Sequence, residues 1–337
     1  MAEVEDYRDA FATYRGDGVR RSAIGGHPAS ADYRNTLEDP AGYRPSPEAR
    51  DAVNVALMMN LPLLVSGEPG SGKTQLGYAV AHELGLDRPS QFVTKSDSQA
   101  RDLFYSYDAI RHFHASQTGG APSARPFLEL RALGEAILKA LPPEDRFLPI
   151  RGEDTSAPPR RCVVIVDEID KAPRDFPNDL LYEFEHLRFR IPEYGNVETK
   201  PIDDAYRPIL IITSNAEQML PQAFLRRCAF VNLEAPRGAE LAALIEQRFR
   251  GVLTTEHRLV RDIVDLSDHL RRSGQIEFVP SSAELLQFTA AITMAGGDPA
   301  RGLYGQVTSI EPYVSLIAKS AADQGRIFDQ IRSLAAR

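Results

Sequence analysis

Gly67-Glu-Pro-Gly-Ser-Gly-Lys-Thr74 is the most informative stretch of this chain. It matches the pattern G-x-x-x-x-G-K-[ST], in which glycines let backbone N–H groups converge on a polyphosphate. The short apolar run Leu61–Ser66 precedes it, and a helical pattern over Thr74–Leu84 follows it. A buried strand, a glycine-rich loop and a helix N-terminus are the context that a phosphate-binding loop needs. The sequence therefore predicts a nucleotide site in an α/β fold.

The predicted phosphate contacts come from the loop and the start of the helix. They are Gly67, Glu68, Pro69, Gly70, Ser71, Gly72, Lys73, Thr74 and Gln75. Lys73 is expected to reach the β- and γ-phosphates, and the Thr74 hydroxyl is expected to coordinate Mg²⁺.

Four more short apolar runs predict further strands of the same sheet. They are Gln91–Thr94, Cys162–Val166, Ile209–Thr213 and Phe230–Leu233. Helical patterns lie between most of the runs, at Thr74–Leu84, Phe127–Leu141, Asn178–Leu187 and Pro221–Arg227. Strands that alternate with helices predict a mainly parallel sheet with helices on both faces.

The pattern changes after residue 235, where strand signals stop and helical periodicity continues. The later helices are predicted at Gly238–Arg250, His257–Arg272, Ser282–Ala295, Gly305–Ala321 and Asp323–Ala336. We therefore expect an N-terminal extension over residues 1–45, a nucleotide-binding core over 46–235 and a helical lid over 236–337.

Two acids follow the strongest of these strands. Val163-Val-Ile-Val-Asp-Glu-Ile-Asp170 would deliver Asp167 and Glu168 at the carboxyl edge of the sheet, where open α/β sheets bind ligands. Asp167 is expected to join the magnesium shell, and Glu168 to activate a water for attack on the γ-phosphate. Asp170 and Lys171 are expected to be exposed charges, with a structural ion pair as the alternative.

Polar residues also follow the next strand, Ile209–Thr213. Asn215 could hydrogen-bond the attacking water and a γ-phosphate oxygen, or it could cap the next element. Arg226 and Arg227 end a short helical pattern. Either could be an arginine finger that acts on a neighbouring subunit, or they could simply stabilise the helix C-terminus. We weakly prefer Arg227 as the finger, because it lies nearer the helix end.

Together these motifs resemble the AAA+ ATPases, and within them the MoxR-like group. The resemblance is carried by Gly67–Thr74, Val163–Asp170, Thr213-Ser-Asn215 and Leu220-Pro-Gln-Ala-Phe-Leu-Arg-Arg227, and it extends over about residues 43–335. It implies a five-stranded αβα core, ATP and Mg²⁺ as ligands, and a ring, usually a hexamer. It also implies remodelling or activation of a protein partner, often one with a von Willebrand factor A domain.

The resemblance also interprets two insertions, near residues 103–126 and 188–202, as elements that face the ring channel. Phe104, Tyr105, Tyr107 and Phe113 could then grip a partner, or they could pack locally. Residues 186–202 are predicted to form two short strands around a Gly195-Asn196 turn, whereas periodicity leaves residues 103–114 open between hairpin and helix.

One departure concerns the lid. Val279-Pro-Ser-Ser-Ala-Glu-Leu-Leu286 resembles the family's sensor-2 helix, but Ser282 and Ala283 stand where an arginine is usual. Arg301 could replace that arginine, or sensor 2 could be missing.

Two other functions remain open at this stage: a nucleotide-gated scaffold with little turnover, and a motor NTPase that acts on nucleic acid.

Composition narrows these alternatives. The chain has 337 residues, of which 43% are hydrophobic and 26% charged, which is typical of a globular protein. A net charge of −8 makes general nucleic-acid binding an unfavoured interpretation. The apolar runs have the length of strands and the N-terminus is acidic, so we expect no membrane insertion and a cytoplasmic location.

Overall fold

The computed structural model describes residues 39–117, 123–154 and 156–336. Most of the predicted N-terminal extension, residues 1–38, lies outside these ranges. The described residues form two compact units. One unit contains residues 43–68 and 72–233, and the other contains residues 234–336 together with 39–42 and 69–71.

The strands of the described residues all lie in the first unit. They are β1 (Leu63–Gly67), β2 (Ser90–Val93), β3 (Tyr105–Tyr107), β4 (Leu128–Leu130), β5 (Val163–Asp167), β6 (Arg190–Ile191), β7 (Val197–Glu198), β8 (Ile209–Ser214) and β9 (Ala229–Leu233).

The α-helices of the described residues are divided between the two units. They are α1 (Pro47–Met59), α2 (Lys73–Glu83), α3 (Ala109–Gln117), α4 (Ala132–Ala140), α5 (Phe176–Asp179), α6 (Leu181–His186), α7 (Gln222–Leu225), α8 (Gly238–Arg248), α9 (Arg258–Ser273), α10 (Ser282–Met294), α11 (Val307–Ile310), α12 (Val314–Ile317) and α13 (Ala321–Ala335).

The central sheet has five strands in the order β2-β5-β8-β1-β9, and all of its pairings are parallel. Each strand coincides with one of the predicted apolar runs, so the predicted sheet is confirmed. Parallel strands that are buried on both faces have nearly continuous apolar sequence. For that reason the strands were recognised as apolar runs and not as an alternation of apolar and polar residues. The first unit is a P-loop αβα domain, and the second supplies the predicted helical lid.

Apolar layers cover both faces of the sheet. On one face Ile165 of β5 packs in a cluster with Leu76 of α2, and on the other Val164 packs with Ile137 of α4. Helix α2 approaches β5 closely at Gly77, where an added Cβ would lie 2.6 Å from Ile165 Cδ1. This close approach holds the start of α2 beside the carboxyl edge of the sheet.

The two insertions contain short antiparallel pairs. The predicted hairpin is confirmed: β6 pairs with β7, and Gly195 and Asn196 both have the positive φ that a tight hairpin turn requires. For residues 103–114 the sequence left a hairpin and a helix as alternatives. The segment contains a hairpin strand, β3, followed directly by a helix, α3. The helix predicted from Phe127 is wrong at its start, since Leu128–Leu130 pairs with β3 and α4 begins at Ala132.

The helical unit has its own core, in which Leu259, Leu285 and Ile327 are buried. The single helix predicted over Gly305–Ala321 is wrong. That stretch contains the short helices α11 and α12 with 3₁₀ turns, one of them at Glu311–Tyr313, because Pro312 has no N–H to donate within a continuous helix. In the part of the chain that the structure describes, no helix has both the length and the apolar character needed to cross a membrane.

Candidate nucleotide-binding site

The loop between β1 and α2 surrounds the ammonium group of its lysine. Lys73 is only 7% exposed, and its Nζ donates to the carbonyl oxygens of Gly67 at 2.8 Å and Glu68 at 3.0 Å. Burial lowers the pKa of Lys73, whereas the nearby charge of Asp167 acts in the opposite direction.

The N-terminus of α2 lacks any side chain that caps it. Gly72 occupies the cap position with φ of 91°, and a Cβ there would lie 3.0 Å from the Tyr43 ring. The first N–H groups of a helix have no partner within the helix and attract anions. Ser71 Oγ and Gln75 Oε1 are buried beside this turn without a hydrogen-bond partner among the described residues. These features fit a bound polyphosphate.

Asp167 is the centre of a hydrogen-bond network at the carboxyl edge of the sheet. Its Oδ1 accepts from the Thr74 hydroxyl at 3.0 Å and also from the hydroxyl of Thr213. Its Oδ2 accepts from Gln91 Nε2 at 2.8 Å, and Gln91 Oε1 accepts from the Tyr78 hydroxyl at 3.0 Å. Carboxylate and hydroxyl oxygens are suitable ligands for Mg²⁺, so Thr74 and Asp167 together could hold that ion.

Glu168 follows Asp167 in an unusual backbone conformation. Its φ of 57° lies in the left-handed region, and its N–H donates to Thr213 Oγ1 at 2.9 Å. The two carboxylate oxygens have different partners: Oε2 lies 2.8 Å from Lys171 Nζ, and Oε1 accepts from Asn215 Nδ2 at 3.3 Å. A non-glycine residue in this conformation costs free energy and is frequent at functional sites.

The prediction that Asp170 is an exposed charge is wrong. Its side chain is buried, with 2% exposure, and accepts the backbone N–H groups of Asn215 at 3.2 Å and Glu217 at 3.0 Å. Lys171 does pair with a carboxylate, but with that of Glu168. Asp170 therefore holds the segment after β8 in place, and that segment carries the Asn215 amide to Glu168.

The two candidate finger arginines differ in their surroundings. Arg227 Nη1 donates to the Ala223 carbonyl at 3.1 Å, at the end of α7, and its Nε lies 3.7 Å from Glu185 Oε2. The Arg226 side chain is exposed and makes no hydrogen bond or ion pair with the described residues. Among the described residues, neither arginine side chain has a hydrogen bond or ion pair with Asp167 or Glu168.

The four aromatic residues predicted to grip a partner do not form one exposed set. Phe104 and Tyr105 are buried in the core, where their rings stack on Phe189, because β3 packs inward. Tyr107 is half-buried, and its hydroxyl is hydrogen-bonded to His112 Nδ1. Phe113 alone of the four is exposed, at 62%.

Sequence motifs did not identify two polar residues at this edge, Gln91 and Tyr78. Gln91 lies in a short apolar run, where it was interpreted only as part of a strand. The one available signal was the spacing of Thr74 and Tyr78, which places them on the same face of α2. That spacing alone does not indicate what either side chain contacts.

Comparisons with known proteins found a family-model match and similarities to solved structures. Residues 62–228 match the family model described as the AAA domain, dynein-related subfamily. Among solved structures, the chain is similar to NtrX from Brucella abortus in complex with ADP, with 13% identity and a TM-score of 0.44. It is also similar to a structure that describes katanin self-assembly, with 14% identity and a TM-score of 0.40.

The extent of these similarities differs between the two structures. The NtrX match covers 94% of this chain and 62% of that chain, so this chain spans less than two thirds of that NtrX chain. The katanin match covers 92% of this chain and 98% of that chain. No curated protein matches the chain. The part of the chain that this family model matches contains the phosphate loop and four of the five strands of the P-loop αβα domain.

Proposed function

We propose that this chain is a Mg²⁺-dependent ATPase of the MoxR-like AAA+ group, which works as a ring and remodels or activates a protein partner. The observation that supports this most directly is the meeting of the phosphate loop and two acids at one edge. Thr74, the residue after the loop lysine, is hydrogen-bonded to Asp167, and Glu168 is the next residue in the sequence after Asp167.

The proposal assigns each side chain a role that suits its position. Lys73 and the free N–H groups of α2 bind the phosphates, while Thr74 and Asp167 hold the metal. Mg²⁺, when bound there, neutralises charge that develops on the phosphate oxygens. Glu168 accepts a proton from the attacking water.

Asn215 positions the group that accepts this proton. Its amide donates a hydrogen bond to Glu168 Oε1, and this bond orients the carboxylate. Lys171 holds the other carboxylate oxygen. These two contacts hold the Glu168 carboxylate in one orientation, which a general base needs.

Arg226 is the better candidate for the arginine finger, in contrast to the weak preference for Arg227. Arg227 is already engaged with the α7 carbonyl and Glu185. Arg226 projects from the same short helix without a partner among the described residues. A free guanidinium can reach the transferring phosphoryl group of a neighbouring subunit, where it stabilises negative charge.

The partner contact is proposed at α3. Ile110 and Phe113 lie three residues apart on this helix and are both exposed, at 73% and 62%. Such spacing places two apolar side chains on one face. A protein partner, of which a von Willebrand factor A domain protein is the kind implied by the resemblance, would cover them.

The test of this function compares ATP turnover with nucleotide binding. Glu168→Gln should lower steady-state phosphate release by about 10²–10⁴-fold, because the base is lost, while ATP still binds. Glu83→Gln, a matched change at an exposed glutamate at the end of α2, should leave both quantities unchanged. Turnover of Glu168→Gln at the wild-type rate would refute the role of Glu168, and a wild-type protein that binds ATP without turnover would indicate a nucleotide-gated scaffold.

A further inference from the structure

A chain of hydrogen bonds reaches Oδ2 of Asp167, whereas Thr74 and Thr213 donate to Oδ1. The Tyr78 hydroxyl lies 3.0 Å from Gln91 Oε1, and Gln91 Nε2 lies 2.8 Å from Asp167 Oδ2. All three residues lie in the first unit. No phosphate-loop or acidic-strand motif includes Tyr78 or Gln91.

Strand register explains why Gln91 can reach this carboxylate. Gln91 of β2 pairs with Ile165 of β5, and Asp167 lies two residues further along β5. Residues two apart in a strand point to the same face, so Gln91 and Asp167 share a face of the sheet. This is the face that α2 covers at Gly77, next to Ile165.

Helix geometry explains the position of Tyr78. Thr74 and Tyr78 are four residues apart on α2, so their side chains lie on the same side of the helix. Thr74 contacts Asp167 directly, and Tyr78 contacts it through Gln91. Helix α2 thus reaches Oδ1 of Asp167 directly and Oδ2 only through Gln91.

The direction of each hydrogen bond is determined by chemistry. Asp167 as a carboxylate can only accept, so the NH₂ group of Gln91 must face it. The Gln91 oxygen then needs a donor, and the Tyr78 hydroxyl supplies one. A reversed amide would place its oxygen against the carboxylate and would lose the bond to Asp167, whereas the Tyr78 hydroxyl could accept from the reversed NH₂ group. The Asp167 carboxylate therefore selects the amide orientation, and the Tyr78 hydroxyl fixes the position of the Gln91 side chain from its other end.

We infer that Gln91 is a positioning residue for the magnesium site, and that Tyr78 holds Gln91 in its working position. This inference rests on the proposed function, since it assumes that Asp167 is a metal ligand. Residues that hydrogen-bond a metal ligand typically change metal affinity 10–100-fold when they are removed. A neutral amide also orients Asp167 without the charge competition that a lysine or arginine would introduce.

The experiment measures ADP affinity by isothermal titration with Mg²⁺ and, separately, with EDTA. The ratio of the two affinities is the gain that Mg²⁺ provides. Gln91→Met keeps the length of the side chain but removes its donor, and it should reduce this gain by about tenfold or more. Tyr78→Phe should reduce it in the same direction by a smaller factor. Affinity in EDTA should stay at the wild-type value in both variants.

A control variant and two contradicting results complete the test of Gln91. Gln324→Met changes an exposed glutamine of α13 and should leave the gain unchanged. An unchanged gain in Gln91→Met, or an equal loss of affinity with and without Mg²⁺, would overturn the inference and leave the proposed function standing. A wild-type protein whose ADP affinity does not respond to Mg²⁺ would instead overturn the magnesium site itself. Should Gln91→Met fold poorly, Tyr78→Phe decides by the same ratio.

Discussion

Asp170 shows how one buried carboxylate can organise a site without joining the chemistry. It lies two residues after Glu168 and accepts the N–H groups of Asn215 and Glu217. The residue between those two, Ala216, has a positive φ of 60°, which a non-glycine residue adopts only at a cost. The Asp170 carboxylate stabilises that loop conformation, and the loop carries the Asn215 amide to Glu168.

Asp170→Asn should therefore destabilise the fold and lower turnover together. The asparagine oxygen can keep one N–H, but its NH₂ group would meet the other, which leaves a buried donor unsatisfied. Such a change typically costs about 1–3 kcal/mol of the free energy of unfolding, which urea denaturation can measure.

Asp97→Asn is the matched change at an exposed aspartate and should leave the unfolding midpoint in place. An Asp170→Asn protein with unchanged stability and unchanged turnover would show that the two hydrogen bonds do not hold the loop.

Among the elements, the short helix α7 separates the roles of two adjacent arginines. Arg227 folds back on the Ala223 carbonyl and approaches Glu185, so it stabilises the end of the helix. The Arg226 side chain, by contrast, is exposed. Adjacent residues of the same type thus have different surroundings, which the sequence alone could not distinguish.

We expect Arg226→Ala to lower ATP turnover by about 10³-fold while ATP affinity changes little, because a finger acts on the transition state. Wild-type turnover per subunit should rise with protein concentration, since the arginine comes from a neighbouring subunit. Arg227→Ala should instead lower the melting temperature. If Arg227→Ala loses turnover and Arg226→Ala does not, the assignment of the finger is reversed.

The elements were predictable from sequence wherever one local cause dominates. All five strands of the central sheet follow apolar runs, and α1 begins after a local serine cap, with Ser46 Oγ accepting from Ala49 N at 3.2 Å. Errors arose where pairing overrode helical pattern, at Leu128–Leu130, and where Pro312 interrupted the helix predicted over Gly305–Ala321.

For the molecule as a whole, the fold brings distant segments of the sequence to one edge of one sheet. Thr74, Gln91, Asp167 and Thr213 belong to four elements and meet at a single carboxylate. Sequence motifs identified Thr74 and Asp167, because each lies within a short local pattern. Gln91 was not predictable, because its role depends on strand order and register, which only the folded sheet establishes.

The central claim is that this edge binds a Mg-nucleotide, and titration of ATP and Mg²⁺ into wild-type protein and Lys73→Met tests it most directly. Wild-type protein should bind with one site per chain. Lys73→Met should weaken binding by at least about tenfold, since a hydrogen bond to a charged group typically contributes about 1.5–3 kcal/mol. Lys95→Met, at an exposed lysine, should bind as wild type does. Equal affinity in wild type and Lys73→Met, or no binding to either, would contradict the account.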